Sequence, residues 1–171
     1  MTALSADVLT PRYGTPDGHQ PLGKALAANV TVYRGSVAAL AGTGGAGVTG
    51  YLKNTSTVAT TDIILGIIGN ALNAPNTSAG IAGGSTAGAV VVNVETGTFI
   101  LASGTGADAL TVATNGATVY LIDEITVGAT NGSSTRPVAG VQVASPTEDP
   151  SIPTGYVAVK LGTPTSPLGG P

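Results

Sequence analysis

Three glycines, Gly42, Gly44 and Gly47, have the G-x-G-x-x-G spacing of a dinucleotide-binding loop. In such loops the glycines let the backbone approach a pyrophosphate, which is bound at the N-terminus of the helix that follows. The residues that follow here, VTGYL, form a β-branched and glycine-broken run that does not predict a helix. Because 26 glycines make this spacing common by chance, the stretch is interpreted as a turn and no dinucleotide cofactor is expected.

A second stretch, with Gly18, Gly23 and Lys24, matches most of a P-loop. A P-loop binds phosphate through backbone N–H groups and binds magnesium through a serine or threonine directly after the lysine. Ala25 occupies that position, and Pro21 lies within the loop. The stretch is therefore interpreted as part of a proline-rich arm, and no nucleotide-binding residue is predicted.

The single histidine, His19, and two adjacent acidic pairs are the remaining candidates for acid–base chemistry. His19 lies in a proline-punctuated segment with no rigid scaffold to orient it, and no G-x-S-x-G motif occurs. Neighbouring residues on a strand point to opposite faces, so Asp123-Glu124 and Glu148-Asp149 are poor pairs for two-carboxylate catalysis. The first pair predicts a turn and the second a solvated loop. We therefore predict no catalytic residue, cofactor-binding residue or metal ligand, and expect that the protein is not an enzyme.

Charge and cysteine content exclude further classes of function. Lysine and arginine number 6 and aspartate and glutamate 9, which gives a net charge of −3. Nucleic-acid binding and polybasic membrane binding both need clustered cations, so neither partner is expected. The chain has no cysteine, which excludes disulfides, thiol nucleophiles and cysteine-ligated metals. The densest apolar run, Ile63–Ile68, is too short to cross a bilayer, and Met1–Thr10 shows no secretory signal.

Alternation of apolar and polar residues with a period of two predicts an all-β fold, either a small β-barrel or a β-sandwich. The alternating segments are 30–33, 90–95, 141–143 and 157–161. Ile63–Ile68 and Val119–Ile122 are apolar on both faces and are predicted to be central strands or interface strands. Only Asp108–Ala113 predicts helical turns, with Asp108 as the N-cap. The Gly/Ala/Ser/Thr-rich stretch 73–88 predicts a long loop.

Proline and glycine at both ends of the chain predict extended tails. Residues 1–28, with prolines at 11, 16 and 21, are predicted to form an extended N-terminal arm. Residues 29–162 are predicted to form the β-domain. Residues 163–171 contain three prolines and two glycines and predict a short C-terminal tail. Because the arm is not expected to contribute to the core, a chain that begins near Ala27 is expected to fold normally.

The order of these segments resembles that of the small head decoration proteins, or capsid cement proteins, of tailed phages. The similarity covers most of residues 10–162. It rests on the arm that leads into a first strand at Asn29–Arg34, on the segment IILGIIG, and on VYLID followed later by TRPVAGV. It implies a β-rich structural protein on the outer surface of an icosahedral virion, made in the host cytoplasm. Such proteins tie neighbouring major capsid protein subunits together, often as homotrimers.

Four residues of the arm, Leu9, Arg12, Tyr13 and Leu22, are the predicted capsid contacts. Arginine and tyrosine are enriched at interface hot spots. The apolar side chains of the arm that have no evident shelter in the monomer are those of Leu4, Val8, Leu9, Tyr13 and Leu22. The alternative hypothesis is a phage or bacterial surface module that binds carbohydrate. Carbohydrate sites usually use aromatic platforms, so the lack of tryptophan and the five scattered tyrosines weigh against it.

Overall fold

The computed structural model describes residues 4–14, 21–42 and 50–162 and confirms the predicted all-β class. The strands are β1 (Leu22–Ala25), β2 (Thr31–Val32), β3 (Val37–Leu40), β4 (Leu52–Lys53), β5 (Ile63–Ala71), β6 (Ile81–Ala82), β7 (Val91–Glu95), β8 (Thr98–Ser103), β9 (Thr118–Leu121), β10 (Thr126–Gly128), β11 (Val138–Ala144) and β12 (Tyr156–Leu161). Two short 3-10 turns lie at Gly106–Asp108 and Val112–Thr114. Within these ranges no helix is long and apolar enough to span a membrane.

The strands form a closed five-stranded barrel and a separate five-stranded sheet. The barrel order is β10-β8-β12-β11-β9, in which β10 pairs parallel to β8 and the other pairs are antiparallel. The sheet order is β1-β7-β5-β3-β4, and β2 pairs with β6 beside it. Since β6 lies within 73–88, that stretch is not the uninterrupted loop that its composition predicts.

Strand β5 lies in the middle of its sheet between two hydrophobic clusters, which confirms the prediction for Ile63–Ile68. The cluster toward the barrel contains Val37, Ala39, Ile64, Ile67, Phe99, Leu101, Leu110, Val119, Leu121, Val127, Ala139, Val157, Val159 and Leu161. The cluster on the other face contains Leu26, Val32, Ala38, Leu52, Ile68, Ile81, Val92 and Val94. Ile64 and Ile67 are buried on the barrel side of β5 and Ile68 on the other side, whereas Ile63 at the start of the strand is exposed.

The second predicted central strand, Val119–Ile122, corresponds to β9 and pairs with β10 and β11. Val119 and Leu121 are fully buried inside the barrel, whereas Tyr120 is only half-buried. The strand has a neighbour on each side because the barrel is closed, and closure leaves no free edge.

The N-terminal arm ends before residue 28, whereas the sequence predicts that it extends to that residue. Leu22–Ala25 forms strand β1, which pairs antiparallel with β7 from Leu22↔Val94 to Ala25↔Val91. Leu26 is fully buried in the second cluster. Pro21 comes directly before the strand, so its missing N–H costs no bond of the sheet. The expected first strand, Asn29–Arg34, is reduced to Thr31–Val32, since Asn29 before it is left-handed with φ of 56° and the chain turns after it at Gly35, with φ of 85°.

Asp108 ends the first 3-10 turn, so the prediction that it is a helix N-cap is wrong. Its carboxylate accepts hydrogen bonds from the Thr130 hydroxyl at 2.5 Å and from Arg136 Nη1 at 2.8 Å. Two glycines make room for this side chain: a Cβ at Gly104 or Gly128 would lie 2.6 or 2.9 Å from the Cβ of Asp108. Asp108 therefore links the turn to the segment after β10.

Replacing Asp108 by asparagine is expected to lower the free energy of unfolding by roughly 1.5–3 kcal/mol at neutral pH. The hydrogen bond from the Thr130 side chain, followed by the bonds from Arg136, lowers the pKa of Asp108 below its usual 3.8, although burial opposes the shift. A carboxyl with a lowered pKa stabilises the fold above its unfolded pKa, and this stability is lost as the pH falls through the folded pKa. In urea unfolding, the difference in unfolding free energy between the unchanged protein and the Asp108→Asn variant should therefore be smaller at about pH 2.5 than at about pH 7. An equal deficit at both pH values would contradict this assignment.

Candidate interaction surface

Residues 4–14 form an extended segment, here called the N-terminal strap, that lies against both the barrel and the sheet region. The Leu4 N–H donates to Glu124 Oε2 at 2.6 Å, beside the barrel strand β10. The Val8 N–H donates to the carbonyl of Arg34 at 2.9 Å, just before β3. At its end, the Tyr13 N–H donates to the carbonyl of Thr98 at 2.8 Å on β8. The strap is thus fixed at its start, middle and end.

The middle of the strap is held by a charged pair and by a glycine. Arg34 donates to Asp7 Oδ2 through Nε at 2.7 Å, and its backbone N–H donates to Oδ1 at 2.9 Å. Gly35 has φ of 85°, and a Cβ there would lie 1.9 Å from the carbonyl oxygen of Val8. Only glycine allows this close approach, so the position of the strap depends on Gly35.

Leu9 lies in this fixed part of the strap and is 92% exposed. The residues on either side are tied down, because Val8 bonds to Arg34 and the Thr10 hydroxyl donates to the carbonyl of Gly35 at 2.5 Å. The prediction that Leu9 has no shelter within the monomer is therefore confirmed. Contiguous apolar surface, rather than one exposed side chain, marks an interaction site, so the surroundings of Leu9 decide whether it belongs to one.

A groove of about 250 Å³ adjoins Leu9, between the strap and the barrel. It is lined by Val8, Leu9, Thr10, Ile100, Leu101, Ala102, Ile125 and Tyr156. Tyr156, at the start of β12, is 42% exposed. The sequence gives no cue for Tyr156 or Ile125 as site residues, because only the closed barrel places them beside the strap.

Arg12 and Tyr13, two of the predicted capsid contacts, make contacts within the protein itself. The backbone of Arg12 forms an antiparallel bridge with Phe99 of β8. The guanidinium of Arg12 lies 5.2 Å from the centroid of the Phe99 ring and 3.7 Å from Glu95 Oε2. The Tyr13 hydroxyl donates to Asp149 Oδ2 at 2.9 Å, which raises the pKa of Tyr13. Both side chains hold the end of the strap against the barrel, although each stays partly exposed.

Leu22, the fourth predicted contact, is 44% exposed at the start of β1 and does not line the groove. The structure therefore brings Leu9, Arg12 and Tyr13 together on one strap and leaves Leu22 on the edge strand of the sheet. His19, Gly18, Gly44, Gly47 and the tail 163–171 lie outside the described residues.

The two acidic pairs occupy a turn and a loop, as predicted. Asp123 Oδ1 accepts hydrogen bonds from the N–H groups of Ile125 and Thr126 at 3.1 and 3.0 Å, which closes the turn between β9 and β10. Its neighbour Glu124 is only 1% exposed, which the sequence does not predict. The carbonyl of Glu124 accepts from the Val37 N–H at 2.7 Å and so joins the barrel to β3.

Most of the cationic side chains take part in ion pairs within the protein. Within the described residues, ion pairs join Arg12 to Glu95, Arg34 to Asp7, Lys53 to Asp62 and Arg136 to Asp108. These pairs use four of the six lysine and arginine side chains of the chain. In the same ranges, no group of three or more His, Cys, Asp or Glu residues could hold a metal ion.

Comparison of the chain with family models, with curated proteins and with solved structures finds no match. The function is therefore argued from the strap, the groove and the charge distribution.

Proposed function

We propose that this protein is a structural virion protein that decorates an icosahedral phage capsid and bridges its major capsid protein subunits. The observation that carries the proposal is the exposed side chain of Leu9 on the fixed strap. Tied down on both sides, Leu9 can enter an apolar pocket of a partner without the entropic cost of ordering a free terminus. The resemblance of the segment order to head decoration proteins supports the same assignment.

The paired charges support a binding mode based on shape and apolar contact. Four of six cationic side chains are already engaged with carboxylates of the same chain. Electrostatic steering raises association rates for proteins that must find partners repeatedly. A decoration protein binds once and stays bound, so a surface on which most cations are already paired suits it. In this proposal the protein resides on the outer capsid surface and forms a homotrimer there.

Replacing Leu9 by serine is expected to weaken capsid binding by about 10-fold or more without destabilising the fold. Burial of a leucine is worth about 1.5–3 kcal/mol, and each 1.4 kcal/mol changes affinity tenfold. The melting temperature should not change, because Leu9 is 92% exposed in the free protein. Binding is measured by co-sedimentation with particles that are encoded by the same genome and were prepared without the protein.

Leu72→Ser is the matched control for that experiment. Leu72 is also an exposed leucine, at 57%, but it lies after β5 and does not line the groove. The Leu72→Ser variant should therefore bind particles as tightly as the unchanged protein does. Equal binding by the Leu9 and Leu72 variants would exclude Leu9 as the contact that holds the protein on capsids.

Carbohydrate binding is the second candidate function, and Tyr156 is the observation that favours it. A partly exposed tyrosine at the edge of a groove is a surface on which a sugar ring can stack. If Tyr156→Ala removes binding on a glycan array, and the unchanged protein does not bind capsids, the carbohydrate hypothesis replaces the capsid hypothesis.

A further inference from the structure

Glu124 is a buried carboxylate with an incomplete set of partners. Its side chain lies beneath the start of the strap and is 1% exposed. Oε2 accepts one hydrogen bond, from the backbone N–H of Leu4 at 2.6 Å. Within residues 4–14, 21–42 and 50–162, Oε1 is the one buried side-chain polar atom without a hydrogen-bond partner.

A carboxylate in this environment normally has a cationic partner. Buried charges are paired or fully hydrogen-bonded, because the loss of water is otherwise uncompensated. The four ion pairs of the described residues involve other carboxylates, those of Asp7, Asp62, Glu95 and Asp108. In the part of the chain that the structure describes, the one donor to the carboxylate of Glu124 is a neutral peptide N–H, which supplies one hydrogen and no net charge.

We propose that Glu124 is the receptor for a processed N-terminus that begins at Leu4. Hydrolysis of the Ala3–Leu4 peptide bond by an endopeptidase would add one water: the hydroxyl goes to the carbonyl carbon of Ala3, and the proton goes to the nitrogen of Leu4. Amino termini have pKa values of about 7.7–8.0 and α-carboxyl groups about 3.3–3.7, so at neutral pH the new carboxyl group of Ala3 releases its proton and the new amine takes one up to become mostly an ammonium. The nitrogen already 2.6 Å from Glu124 Oε2 then carries three hydrogens and a positive charge.

The rest of the strap is compatible with this cleavage. From Asp7 onward the chain is held by Arg34, Gly35 and Thr98, so each of these contacts lies after the cleaved bond. Residues 1–3 lie outside the described residues. Cleavage therefore converts a neutral hydrogen bond into a buried ion pair while the strap remains docked.

The test compares chains with different first residues, each released from a cleavable N-terminal fusion. The chain that begins at Leu4 should melt several degrees above the full chain. The chain that begins at Ala3 is the matched control, since its ammonium is displaced by one residue and it should show no such gain. Glu124→Gln should abolish the gain of the Leu4 chain, because an amide cannot form the ion pair.

Two results would overturn the proposal. One is a Leu4 chain that melts no higher than the Ala3 chain, which decides the matter even if Glu124→Gln does not fold. The other is protein from its natural source whose N-terminal peptide, by mass spectrometry, retains residues 1–3. Neither measurement depends on capsid binding, so the inference stands or falls separately from the proposed function.

Discussion

Replacing Lys53 by methionine is expected to lower the free energy of unfolding by about 3–5 kcal/mol. Lys53 Nζ lies 2.9 Å from Asp62 Oδ2, and the two side chains are only 5% and 0% exposed. Methionine removes the ammonium and leaves the carboxylate of Asp62 buried without its cation. The loss of one partner is more costly than the loss of both, because the remaining charge is uncompensated.

A double variant separates this electrostatic effect from simple loss of packing. Asp62 Oδ2 also accepts the N–H of Ala59 at 2.8 Å, and an asparagine oxygen could accept the same bond. Lys53→Met combined with Asp62→Asn should therefore recover part of the stability that Lys53→Met loses. Lys160→Met, at an exposed position on β12, should stay within about 0.5 kcal/mol of the unchanged protein. Urea unfolding measures all three. A double variant no more stable than Lys53→Met would mean that the charge of Asp62 is not what destabilises the single variant.

Deleting residues 1–26 is expected to destabilise the fold severely, contrary to the expectation from sequence. The deletion removes β1, the partner of β7, and also the fully buried side chain of Leu26. Truncation of a buried leucine to alanine alone costs about 2–5 kcal/mol. Loss of β1 adds to this, because it leaves the backbone groups of β7 without their partners on that side.

A chain that begins at Pro21 is the matched control for this deletion. It lacks the strap but keeps β1 and Leu26, so the difference between the two chains reports residues 21–26 alone. We expect that difference to exceed roughly 3 kcal/mol in urea unfolding. Coincident unfolding curves would mean that β1 contributes nothing to stability and that the domain begins at residue 27 or later.

The candidate site was only partly predictable from sequence. Leu9 is predictable because the proline and glycine spacing of the arm gives its apolar side chains no core to join. Arg12 and Tyr13 were identified by residue type alone, and their partners, Phe99 and Asp149, are far away in the chain. Glu124 could not be identified, because an acidic pair in a turn resembles a solvated turn whether or not the strap covers it.

The sequence by itself determined the features that depend on neighbouring residues. Alternation with a period of two specifies strands, and the short side chain of Asp123 closes its own turn; both effects act within a few residues. Only the tertiary structure decided the closure of the barrel, the parallel pairing of β10 with β8, and the place of β1 at the edge of the sheet. These features depend on which distant strand offers a free edge and which cluster has space for a side chain such as Leu26. The pairing of strands that are far apart in the chain depends on how much apolar surface the whole fold buries, and no local sequence pattern predicts that.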